Sequence, residues 1–237
     1  KKYEVKKVLS SLFFENKAKK LSDDTVKDLY GETLQGSISR MEKFNSCAYA
    51  HFLSYGLQLQ EREIYRLEAP DIGEMFHGAL KFIGDKVNEE NLVWGQLTRE
   101  QIRQLVIEAV EFLSPKLQNE ILLSTNRYQY IKRKLERVIY RATEVIEKHA
   151  KASQFIPYKL EMSFGPKGDL PPIQFELKNG MKMQLVGRID RVDKAENDKG
   201  VFLRVVDYKS SKRDLDIGEV YYGIALQMLT YLDILIR

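Results

Sequence analysis

Apolar positions divide the chain into two textures. From Ser39 to about Lys151 they recur mostly at three- and four-residue spacing, the period of helices with one buried face, with breaks near Pro70-Asp71, Leu97-Thr98 and Ser114-Pro115. From Phe155 the pattern turns to alternation. Pro157 to Phe164 predicts a strand, Gly165 to Pro172 a turn, and Ile173 to Leu177 a second strand ahead of Asn179-Gly180, a hairpin signal. Met183 to Asp193 and Val201 to Lys209 follow as two further strands, joined through a polar segment that ends in Gly200. A last apolar-periodic run, Asp216 to Arg237, opens with acids and predicts one helix. The class is α+β with a mixed sheet: helical over 37–152, sheet and helix over 153–237. Residues 1–36 are expected to be a lead-in from a preceding domain.

Local signals refine the helical part. Ser39 followed by Glu42 forms a capping-box pattern and predicts a helix start, and Thr98-Arg99-Glu100-Gln101 predicts another. Cys47 falls in the first of these helices, one turn before His51, and is the only cysteine of the chain. One thiol excludes an internal disulfide, and its ordinary role is that of a small buried apolar group. With neither a signal peptide nor a long apolar span, the expected location is cytoplasmic, with no membrane contact.

Composition adds less. At 237 residues with 43% hydrophobic content, the chain can bury a substantial core as one folded unit. A net charge of +4 does not by itself specify a nucleic-acid partner. Its distribution says more. Arg127 to Arg141 is the densest basic run, with tyrosines interleaved, and a helix there turns Ile131, Leu135, Val138 and Ile139 inward. Arg127, Lys132, Arg133, Lys134, Arg137 and Arg141 then form either a solvated face or a DNA-backbone contact.

The candidate chemistry lies in the last two predicted strands. Gly187-Arg188-Ile189-Asp190 on one is followed by Val206-Asp207-Tyr208-Lys209 on the next. Alternation sends Asp207 and Lys209 to one side and Val206 and Tyr208 to the other. Two acids and a lysine supply oxygen ligands for Mg²⁺ and a cation near an attacking water, although an Asp-x-Lys pair is also an everyday surface ion pair. Asp190 lies in a half-apolar strand, where a carboxylate requires a cation or hydrogen-bond donors. His77, one helical turn after Gly73, is a competent metal ligand in its neutral form. Gln227 and Tyr231 share a helix face. Glu161 alternates with Lys159 and Ser163 on a polar face and reads as a solvated or ion-paired acid rather than a ligand.

Gly73 to His77, Gly187 to Asp190, Asp207 to Lys209 and Gln227 to Tyr231, in that order, resemble the RecB-like branch of the PD-(D/E)xK nuclease superfamily. Ser37 to Phe52, leading to Tyr55-Gly56, is similar to the opening of the nuclease domain in AddB-type helicase-nuclease subunits. The resemblance implies a restriction-endonuclease-like core with a helical N-terminal portion and a helical insertion. It implies hydrolysis of DNA phosphodiesters with Mg²⁺ held by Asp190, Asp207, His77 and the backbone carbonyl of Tyr208. Lys209 would orient or deprotonate the water or balance charge, and Gln227 and Tyr231 would contact DNA or fix Lys209. Cys47 would join three cysteines beyond Arg237 around a 4Fe-4S cluster, those three having been trimmed from this sequence. The wider assembly implied is an ATP-dependent heterodimer with an AddA-type partner. It would act on double-strand ends and single-stranded tails in recombinational repair, cutting the 5′-ended strand as a 5′ to 3′ exonuclease. No phosphate-binding Gly-x-x-x-x-Gly-Lys-Ser/Thr loop occurs here, so an ATPase would lie elsewhere. The rivals are a stand-alone iron-sulfur nuclease of the CRISPR-adaptation type and a non-catalytic DNA-binding module. The helical stretch from Trp94 to Lys151 weighs against the first, and the intact acid-acid-lysine set against the second.

Overall fold

A computed structural model describes residues 20–60, 65–178, 180–209 and 214–236, together with Val5, Leu9, Ser10, Leu12 and Arg62. The chain is α+β, as its patterning predicts. After α1 (Asp23–Tyr30), strand β1 (Thr33–Ser37) leads into α2 (Ile38–Ser46) and α3 (Ala48–His51), which continues through a π-helical turn at Phe52–Gly56. The helical layer follows: α4 (Ala69–Glu89), α5 (Arg99–Leu113), α6 (Ile121–Ser124) and the long α7 (Asn126–Ala152). Strands β2 (Ile156–Phe164), β3 (Ile173–Glu176), β4 (Lys182–Asn197) and β5 (Gly200–Val206) come next, then α8 (Ile217–Tyr221) and α9 (Gln227–Ile236).

The predicted breaks mark helix starts and stops. Pro70 sits in the first turn of α4, where its missing N–H costs nothing, and the Glu68 N–H donates to Asp71 Oδ2 at 2.7 Å. Thr98 and Gln101 cap α5 reciprocally, at 3.2 and 2.9 Å. The expected box at Ser39 is displaced. Ser37 is the capping residue, accepting from the Arg40 N–H at 3.1 Å, and Glu42 instead accepts from the Leu226 N–H at 2.8 Å, at the start of α9.

Strand β4 is the spine of the sheet. Its first half pairs in parallel with β1 and antiparallel with β3, and its second half pairs antiparallel with β2 and β5. The β3–β4 hairpin closes with Leu177 and Gly180 donating to Met181 and Leu177 carbonyls, although Asn179 itself lies outside the described residues. The polar segment from Asp193 onward is not the loop its composition suggests. Strand pairing continues to Asn197↔Gly200, leaving Asp198-Lys199 as the turn, because Asp193 is buried between two arginines instead of facing water. Strand β5 stops at Val206, short of the expected Lys209: the Tyr208 N–H is given to the Asp190 carboxylate and is lost to the ladder.

The single helix expected from Asp216 to Arg237 is broken in two. Gly223 adopts φ 69°, a region open to glycine, and its carbonyl accepts from Asn45 Nδ2 at 2.9 Å.

Two apolar cores flank the sheet. Met75, Leu80, Ile83, Val106, Ile139 and others fill the helical layer together with Leu160 of β2. Met162, Phe164, Ile189 and Val192 pack with Ile38, Tyr231 and Ile234 in the second core. Leu160 and Met162 would share a face in a regular strand. They nevertheless join different cores, and Glu161 between them has φ 53°.

Candidate metal centre

Four elements converge at the middle of β4. Helix α4 brings His77, β2 brings Glu161, β4 brings Asp190, and the segment after β5 brings Asp207 and Lys209. Gly187, which opens the β4 motif, allows the Phe164 ring to approach: a Cβ there would lie 2.6 Å from the ring. His77 Nδ1 lies 2.8 Å from Glu161 Oε1 and 3.5 Å from Asp190 Oδ1. Ligand atoms of His77, Glu161 and Asp190 all fall within 4.8 Å of one another. Asp190 Oδ2 accepts the Tyr208 N–H at 2.7 Å, which joins the two motif strands directly.

Asp207 stands beside this triplet rather than in it. Its Oδ2 pairs with Lys209 Nζ at 2.8 Å, so the two do project to one side, although both lie beyond the end of β5. Its Oδ1 is buried and has no hydrogen-bond partner among the described residues. Lys209 Nζ also donates to Gln227 Oε1 at 2.8 Å, and Gln227 Nε2 donates to the Tyr231 hydroxyl at 2.9 Å. The two α9 residues therefore act in series on the lysine. Burial pushes the Tyr231 phenol up to about 12, so it stays protonated.

Three acids, Asp190, Asp207 and Glu161, shape the electrostatics of the centre. Burial pushes the Asp190 carboxyl up to about 6, against the pull of the Tyr208 N–H and His77, with the charges of Asp207 and Glu161 adding to the rise. The Glu161 hydrogen bond raises the His77 pKa above its ordinary value, against desolvation, and Asp190 and Asp207 add to it. Burial alone would raise Glu161, but hydrogen bonds from His77 and Arg188 outweigh it and hold its carboxyl below the usual range. The cluster thus gathers positive charge onto the imidazole.

Glu161 corrects the sequence-based expectation. It is ion-paired, as one of the two expected alternatives had it, with Arg188 Nη1 at 3.1 Å and His77 Nδ1 at 2.8 Å, but it is not solvated: its side chain is only 8% exposed and lies among the candidate ligand atoms. Lys159 and Ser163 turn instead to Asp169, at 3.2 and 2.8 Å. No composition or spacing signal marks it, because its partners His77 and Arg188 are distant in sequence.

Beneath the centre lies a charged cluster that patterning also hides. Asp193 is fully buried and binds Arg191 Nε at 2.7 Å and Arg204 Nη2 at 2.6 Å. Arg191 Nη1 donates to the Tyr208 hydroxyl at 3.3 Å. The Tyr208 ring in turn packs edge-on against Phe76 and His77, at centroid distances of 5.6 and 5.8 Å. Tyr208 is held at its hydroxyl, its ring and its N–H.

Other candidates lie apart. Cys47 is neither buried nor inside a helix. It is exposed at the joint between α2 and α3, ending one helix and capping the next by accepting the Ala50 N–H at 3.5 Å. On α7, Arg127, Arg133, Lys134, Arg137 and Arg141 are exposed and Lys132 is half-buried; Val138, expected inside, is exposed as well. Lys134 Nζ lies 4.9 Å above the exposed Tyr130 ring. No described helix is long and apolar enough to cross a membrane.

Comparison with known proteins finds close relatives of this chain. The ATP-dependent helicase/deoxyribonuclease subunits of AddB type from Bacillus velezensis and Bacillus subtilis strain 168 are each 58% identical over 229 residues, 97% of this chain and 20% of theirs. The Bacillus licheniformis counterpart is 58% identical over 227 residues, 96% of this chain and again 20% of its own length. The chain spans about a fifth of the length of the curated relatives it matches. The family model described as the PD-(D/E)XK nuclease superfamily matches residues 35–237. That match begins inside β1 and takes in β2 to β5 and the candidate centre, and the chain belongs to the PD-(D/E)xK nuclease superfamily.

Proposed function

We propose that this chain is the Mg²⁺-dependent nuclease of a helicase-nuclease complex and hydrolyses DNA phosphodiesters. The observation that carries the reading is the meeting of His77, Glu161 and Asp190 within 4.8 Å, beside a buried Asp207 oxygen without a hydrogen-bond partner among the described residues. An unsatisfied buried carboxylate oxygen is costly, and a hard divalent cation satisfies it. Asp190, Asp207 and His77 would hold it, with the Tyr208 carbonyl as a further oxygen and Glu161 now added to the candidates. When bound, Mg²⁺ supplies Lewis acidity and an activated water.

The remaining roles fall to side chains. Asp207 and Gln227 hold the Lys209 ammonium from two directions, and its remaining N–H serves the attacking water or a phosphoryl oxygen. Tyr231 fixes Gln227 and so acts on Lys209 from one layer further out. Asp190, raised to about 6, is ionised at neutral pH and ready to bind. The exposed arginines and lysines of α7 would follow the DNA backbone.

The relatives' names, which join a helicase to a deoxyribonuclease, support a DNA substrate and a helicase partner for this chain. The motif resemblance extends that to double-strand ends with single-stranded tails, an AddA-type partner, and cytoplasmic recombinational repair with 5′ to 3′ cutting of the 5′-ended strand. One cysteine does not make a four-thiolate site, so a 4Fe-4S cluster requires three more ligands from outside these residues. Cys47, exposed at the α2–α3 joint, is the ligand this chain would offer. The test is degradation of the 5′-ended strand by the full complex in Mg²⁺, wild type against Asp207→Ala. The variant is expected to lose cleavage while keeping DNA binding, and cutting at the wild-type rate overturns the reading.

A further inference from the structure

Arg188 precedes Asp190 by two residues on β4, so both side chains leave the same face of the strand, about 7 Å apart along it. Its ladder partner is Ser163, and the flanking pairs Leu160↔Arg191 and Met162↔Ile189 set Glu161 opposite Asp190. Arg188 reaches diagonally to that acid: Nη1 donates to Glu161 Oε2 at 3.1 Å, while Glu161 Oε1 faces His77. The guanidinium is therefore one carboxylate away from the His77–Asp190 pair. Its side chain is nevertheless 63% exposed.

The other cations near the centre are engaged differently. Lys209 is drawn to Asp207 and Gln227. Asp169, the acid nearest Ser163, takes the N–H and hydroxyl of Ser163 and the Lys159 ammonium, so its demand is already met. Arg188 is anchored through one nitrogen of a planar fork and turns the rest to solvent. A DNA phosphate entering this site meets Asp190, Asp207 and Glu161, all of its own sign. A guanidinium at the rim offsets that repulsion and binds a phosphate by charge-assisted, bidentate hydrogen bonds.

We propose that Arg188 is a substrate-phosphate contact, its outward edge binding a backbone phosphate beside the scissile bond while Glu161 aims it. This inference rests on the nuclease reading. In it, Glu161 has two duties, one towards the imidazole and one towards the DNA.

The test measures kcat/KM for single-stranded DNA with the full complex across a range of KCl concentrations and across a range of pH, in wild type, Arg188→Gln, Arg188→Lys and Asp207→Ala. Arg188→Gln is expected to lower kcat/KM about 10- to 100-fold, the worth of a hydrogen bond to a charged group, mostly through KM. It should also flatten the slope of log kcat/KM against log salt by about 0.7, the mark of one lost phosphate contact on a single strand. Arg188→Lys keeps the charge and so the slope. An unchanged slope in Arg188→Gln overturns the proposal. So does a loss that shows only as a displaced pH profile, since Arg188 would then act on His77 through Glu161 alone. Cleavage at the wild-type rate by Asp207→Ala would instead sink the nuclease reading itself, whatever Arg188 does.

Discussion

At the scale of single residues, the centre is governed by burial and by which acid faces which donor. Asp190 shows the consequence most clearly, because its carboxyl is raised from 3.8 to about 6 in the folded chain. Between those values the folded protein holds a proton that the unfolded chain has released. Stability therefore falls as pH rises through that window. His77, also raised, pushes in the same direction at somewhat higher pH, whereas Glu161 and Asp169, both lowered, lose their contributions as pH falls. Comparing urea midpoints of wild type and Asp190→Asn from pH 4 to 7 in chelator isolates the Asp190 share. The wild type is expected to lose ground to the variant as pH rises, and parallel curves would contradict the raised carboxyl. Residue types and their order make His77, Asp190, Asp207, Lys209, Gln227 and Tyr231 legible in the sequence. Glu161 is not, because the partners that hold it, His77 and Arg188, lie 84 and 27 residues away in sequence.

At the scale of elements, the legible features are those fixed by neighbours in sequence. Thr98 with Gln101, and Pro70 at the start of α4, are local and readable. Glu42 is not, because its partner, the Leu226 N–H, lies 184 residues away. The same long-range logic breaks the last helix at Gly223, whose carbonyl is claimed by Asn45 of α2. Helix α9 thus takes its starting point from α2, and that start places Gln227 against Lys209. Replacing Glu42 with Ala removes a cap and is expected to cost about 1 kcal/mol of stability, read as a lower denaturation midpoint at unchanged m. Glu42→Gln, which keeps the acceptor, should recover most of it. Equal losses in both variants would mean that charge rather than capping matters there.

At the scale of the whole molecule, the sheet separates two cores, and the assignment of residues to them is only partly readable. Helical spacing on α7 identifies Leu135 and Ile139 as inward, and both are buried. Val138, adjacent to Ile139, falls inside by the same count and is 52% exposed, because a long helix packed along one stripe leaves the flanks to solvent. Ile139→Ala is therefore expected to destabilise by about 2 to 5 kcal/mol, and Val138→Ala by about 0.5 kcal/mol or less. Similar thermal shifts for the two variants would refute that orientation of α7. The Asp193 cluster escapes a sequence reading for a related reason. A run rich in Asp, Lys, Glu and Asn suggests a loop, yet Arg191 and Arg204 neutralise its one buried acid and let the strand continue.

The bond between Glu42 and Leu226 also dictates an order of events in time. His77 and Glu161 emerge from a ribosome well before Gln227, and Lys209 has no amide to steady it until α9 is made and docks on α2. Closing so wide a loop is a late step in folding, since its entropy is repaid only when the distant partners meet. A growing chain thus carries His77, Glu161, Asp190 and Asp207 before Lys209 has its amide partner, and the arrangement is complete only once the last helix has seated.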